Sequence, residues 1–183
     1  MFIAQQLRQT NIAEYLIYMW QVEDLIRANG CDLERIEAQV VSRYDGLDET
    51  KRKTLVQWYA DLIGMMRDEG VTESGHLQIN RNVIITLTDL HNRLLARTDH
   101  PFYHAAYYRA LPYIVDLRHR SPKKDIPEVE TCMEALYGLL LLRLQQKPIS
   151  EDTQKAAKEI SAFVSMLANY YEKDKNNELK WDE

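Results

Sequence analysis

An all-α fold, a single-domain antiparallel bundle of six or seven helices, is what this chain predicts. Three observations carry that reading. Apolar side chains recur every three to four positions along almost the whole length. Only 6 Gly and 5 Pro occur in 183 residues, too few turn-formers for a many-stranded sandwich or barrel. The hydrophobic share of 45% and the charged share of 28% are those of a globular protein that can bury a core, not of a disordered chain.

The elements follow in order. Asn11 and Glu14 have capping-box spacing, so the first helix is expected to begin there and to stop at Asn29-Gly30. Asp32 caps a short second helix through Leu33, Ile36, Val40 and Tyr44, ending near Gly46. Asp48 starts a third, with Leu55, Trp58, Tyr59, Leu62 and Met66 on one face, and Gly70 closes it. A fourth runs from Thr72 or Ser74 to Ala96 through Leu77, Val83, Ile84, Leu87, Leu90 and Leu94. After Asp99-His100-Pro101, a helix-start pattern, the stretch Phe102 to Leu117 is apolar on every side, as in a segment covered twice. Pro112 lacks an N–H and predicts a kink or break. Arg120 to Asp125 reads as a loop. A sixth helix spans about Pro127 to Gln146, and a seventh, capped by Ser150, carries Ile160, Phe163, Val164, Leu167 and Tyr171. The bundle is expected over residues 1–171. Glu172 to Glu183, with eight charges among twelve residues, is expected to be a disordered tail.

Composition also narrows function. The net charge, 23 − 28 = −5, makes nucleic acid a poor partner. The longest apolar run, Leu136 to Leu142, is far short of the roughly 20 residues that cross a bilayer, and no secretory pattern opens the chain. A cytoplasmic location with both cysteines, Cys31 and Cys132, reduced and buried is the resulting expectation. Phosphate-binding glycine loops, a Gly-x-Ser-x-Gly elbow, Cys-x-x-Cys and His-Glu-x-x-His are all absent from the sequence. The acid-x-x-His pairs Glu73/His76 and Asp116/His119 have di-metal spacing, but with 28 acids in the chain such pairs arise by chance. His100 and His104 could share a helix face. No metal and no cofactor are called for.

Two groups of residues stand out. On a helical wheel with Ile12 at zero, Glu23 falls at about 20°, in the middle of the arc that holds Leu16, Met19, Val22 and Ile26. A carboxylate there must be paired, hydrogen-bonded or protonated. Asn80 and His91 lie on the apolar stripe of the fourth helix, which suggests a buried polar cluster of Glu23, His91 and Asn80 in which Glu23 and His91 approach each other. The second group is a surface: Tyr103, Tyr107, Tyr108 and Tyr113 around Pro112, followed by the basic residues Arg118, Arg120, Lys123 and Lys124.

The run Asn11-Ile12-Ala13-Glu14-Tyr15-Leu16-Ile17-Tyr18-Met19-Trp20-Gln21-Val22-Glu23-Asp24-Leu25-Ile26-Arg27 resembles the opening of a family of small bacterial cytoplasmic proteins catalogued as a domain of unknown function. The resemblance implies no catalytic residue. Two readings stand side by side. One is a non-enzymatic interaction or scaffolding protein that self-associates or takes a protein partner through the tyrosine-rich and basic surface. The other is a small-molecule or metal-dependent enzyme built around Glu23 and His91.

Overall fold

The computed structural model describes residues 1–122 and 125–181. These are all-helical, with no strand among them: α1 (Phe2–Thr10), α2 (Ile12–Ala28), α3 (Leu33–Gln39), a 3-10 turn (Val41–Arg43), α4 (Glu49–Asp68), α5 (Gln78–Leu95), α6 (Pro101–Arg120), α7 (Glu128–Leu144) and α8 (Glu151–Lys175). The chain gathers into two compact units, residues 1–6 with 18–81 and residues 7–17 with 82–183. No helix of the described residues is long and apolar enough to cross a membrane.

In the first unit the predicted caps form. Asp32 accepts from the amides of Glu34 and Arg35 at the start of α3, and Asp48 accepts from Lys51 at the start of α4. Gly70, at φ +67°, ends α4 in the left-handed region, where a side chain would be strained. Met19, Trp20, Ile26, Ile36, Tyr59 and Met66 fill the core. The helix expected from Thr72 or Ser74 instead begins at Gln78. Gly75, at φ +88°, interrupts helical geometry, and residues 71–77 form a loop.

In the second unit α6 packs on α7 and α8, and α7 packs on α8. The fourth-helix stripe holds as read: Val83, Ile84, Leu87, Leu90 and Leu94 are buried. Helix α1 precedes the predicted first helix, which changes the cap at Asn11. Its side chain accepts from Ala13 and Glu14 as expected, but its own amide bonds Leu7 O at 2.8 Å, so the capping box is half made.

Pro112 does not break α6, which continues from Pro101 to Arg120. Both Pro112 and Tyr108 are exposed, so the Tyr108 carbonyl that loses an amide partner can be hydrated. At the far end α8 runs to Lys175, past the expected start of the tail. Beyond it the Trp181 indole donates to Asp174 and lies 3.6 Å under the Arg93 guanidinium, while Arg93 also pairs with Asp174 at 3.5 Å.

Candidate functional site

Glu23 is fully buried, as its place on the wheel requires. Its Oε1 accepts from the Leu77 amide at 3.0 Å and from Asn80 Nδ2 at 2.7 Å, and its Oε2 meets His76 Nδ1 at 2.6 Å. The Arg27 guanidinium lies 4.0 Å away. A local reason explains this set. Leu77 O accepts from the amides of Asn80 and Arg81, which makes Leu77 the cap residue of α5, and leucine has no side-chain oxygen to offer. Glu23, reaching from α2, receives the Leu77 amide, and Glu69 receives the Gln78 amide at 2.6 Å. Two carboxylates from elsewhere in the unit thus cap α5, where its dipole favours negative charge.

The loop before α5 is held by the same stretch of α2. Arg27 donates to Val71 O and to Gly75 O, and it pairs with Asp24 at 2.7 Å. The His76 ring stacks on Trp20 with centroids 4.3 Å apart. Asn80 keeps one buried oxygen with no hydrogen-bond partner among the described residues.

The expected approach of Glu23 and His91 is corrected: His76 is the imidazole that Glu23 takes. Asn80 and His91 are eleven residues apart on α5, a rise of about 16.5 Å, so one carboxylate cannot serve both. Asn80 belongs to the first unit and His91 to the second. The sequence marks His76 only as half of an acid-x-x-His pair. Its partner there, Glu73, is exposed. The signal that could have found it is Gly75, which predicts a loop able to turn His76 and the Leu77 amide inward.

His91 is also buried, with partners of its own. Nδ1 meets Tyr103 Oη at 2.7 Å, Nε2 is 3.9 Å from Glu128 Oε2, and Tyr107 donates to Glu128 at 2.8 Å. Phe163 and Tyr107 present ring edges to it. Desolvation pushes the His91 pKa below its ordinary value, against a smaller opposing pull from Glu128, so the ring is neutral near pH 7. Burial raises the Tyr103 hydroxyl, and burial with Glu128 raises Tyr107, so both phenols stay protonated. Chemically this is a satisfied core network rather than a ready acid and base. Its partly exposed end, Glu128, joins Val115, Arg118 and His119 around a hollow of about 390 Å³.

The tyrosine surface is corrected in part. Tyr103 and Tyr107 are buried, on the same arc of α6 as Ala106, Ala110 and Ile114. Tyr108 is 60% exposed, and Tyr113 is half-buried. Of the basic residues, Arg118 is half-buried and Arg120 pairs with Asp116 at 2.9 Å. Lys123 and Lys124 lie outside the described residues.

His100 sits against Tyr170, and His104 Nε2 meets Leu94 O at 3.1 Å, so these two are engaged separately. Among the described residues no three His, Cys, Asp or Glu side chains converge to hold a metal ion. A family model described as Domain of unknown function (DUF4924) matches residues 1–178. The chain belongs to that family. No curated protein and no solved structure matches the chain. Family membership brings no activity with it, and the function is unknown.

Proposed function

We propose that the protein is a non-enzymatic interaction protein that self-associates through the outward face of α6. One observation carries the reading: along one flank of its buried arc, α6 carries His104, Tyr108, Leu111, Pro112, Val115 and His119, a stripe without acid, lysine or arginine, with the exposed Asp116 and Arg109 lying beyond it. Tyr108 is 60% and Val115 43% exposed, so the stripe has apolar surface to bury. A second copy suits it. A two-fold axis at the Leu111–Pro112 bond sets Tyr108 against Val115 of that copy and His104 against its His119, so the face is its own complement. Elsewhere a chain of net charge −5 repels its like.

Against an enzyme centred on Glu23 and His91 stands the separate satisfaction of each. The experiment is sedimentation velocity of the full chain up to about 100 µM, a range that detects the micromolar affinity of a small helical interface. A dimer is expected, with Tyr108→Glu and Val115→Glu each shifting it to monomer without lowering Tm. A wild-type monomer throughout, or a dimer indifferent to both substitutions, refutes the proposal.

A further inference from the structure

The apolar run Leu136 to Leu142 is only partly absorbed by the core: Leu139 is 8% exposed, but Leu136 and Leu140 are half-buried. The reason lies on the facing helix. Ala157, Ser161 and Ser165 recur every four residues on α8 and are too short to cover the leucines of α7. With Ala13 and Ile17 of α2 these residues line a groove of about 530 Å³, a size usual for small-molecule sites between helices.

Its polar lining is uneven. Arg143 and Lys158 line the groove and are exposed, and their side chains have no hydrogen-bond or ion-pair partner among the described residues. Glu14 is the one acid in the lining, so two cations face one anion. Other basic residues of this unit, such as Arg93, Arg109 and Arg120, are paired with carboxylates. A greasy floor with two uncommitted cations calls for a ligand with an apolar body and one anionic head.

Length narrows it further. From Leu136 to Arg143 α7 rises about 10 Å, the extent of roughly eight to ten extended carbons. We infer that the groove between α7, α8 and the first turns of α2 binds a free medium-chain acyl carboxylate. Its head lies at Arg143 and Lys158, and its chain runs over Leu140 and Leu136 toward Val164. This site is separate from the α6 face and stands or falls without it.

The test is calorimetric titration of the full chain with decanoate below its micelle concentration, alongside octanoate and decyltrimethylammonium. Decanoate should bind at one per chain, and octanoate about tenfold more weakly, because each buried methylene is worth about threefold to fourfold. Reversing both cations, Arg143→Glu with Lys158→Glu, should weaken decanoate at least tenfold. Ser161→Leu should fill the groove and abolish binding, and a thermal melt of each variant confirms that it is folded. No decanoate binding, equal binding of the ammonium compound, indifference to chain length, or affinity unchanged in either folded variant overturns the inference. So does sedimentation with anionic vesicles in place of binding to the free acid.

Discussion

Glu23→Ala is the perturbation that tests the capping argument. It strands two buried donors, the Leu77 amide and Asn80 Nδ2, and an unsatisfied buried donor costs about 1–3 kcal/mol. His76, 25% exposed, can turn to water and adds little. Losing a negative charge at the start of α5 adds about 0.5–1 kcal/mol. The expected total is about 3–7 kcal/mol, which for a chain of this size lowers Tm by roughly 10 °C or more. Glu23→Gln keeps an amide oxygen for both donors and loses only charge assistance, so its cost should be about 1–2 kcal/mol. Denaturant titration gives the energies, and amide hydrogen exchange gives the location, since protection of Leu77 and Gln78 should fall before that of Leu87 or Leu90. An Ala variant melting within about 2 °C of wild type would refute the reasoning. Full additivity of Glu23→Ala with Asn80→Ala, a coupling under about 0.3 kcal/mol, would refute it equally.

Three further outcomes follow from particular groups. His91 has a folded pKa below the ordinary 6.5, so the unfolded chain binds the proton more readily. Stability is therefore full above pH 6.5 and falls as pH drops below it; His91→Gln should flatten that slope in urea titrations at pH 5 to 7. Pro112→Ala restores an amide to the Tyr108 carbonyl on an exposed helix face and should stabilise by about 1–3 kcal/mol; a loss of stability would contradict the continuous α6. Cys132 is fully buried, and burial raises its thiol pKa, so iodoacetamide at pH 8 should leave it unlabelled until denaturant is added, as peptide mass spectrometry will show.

How much of this was legible depends on range. Spacing alone placed the α5 stripe, the caps at Asp32, Asp48 and Ser150, and Glu23 in a buried arc, because each is decided within a few residues. Asn80 could be paired with Glu23 because both are polar groups on apolar faces. The choice between His76 and His91 could not be made that way. It turns on a loop that brings His76 back over 53 residues of chain, and periodicity is blind to loops. The end of the chain is a related case. Its charge density predicts no burial, yet one tryptophan over Arg93 and one indole bond to Asp174 give residues past α8 a local partner.

Helix α6 shows how a sequence pattern and a structure together say more than either alone. An element apolar on all sides predicts two coverings, since exposed greasy surface costs about 25 cal/mol per Å². The second unit supplies one, through Tyr103, Ala106, Tyr107, Ala110 and Ile114. Tyr108 and Val115, on a flank of that arc, meet solvent. A helix needing only one covering would gain solubility from charge all round its exposed side, and α6 carries Arg109 and Asp116 on part of that side. The stripe carries none, and it includes Pro112, whose cost to an isolated helix propensity does not repay. The missing charge and the tolerated proline share one cause if that face is built to be met by another surface, which is why the oligomeric state decides the functional reading.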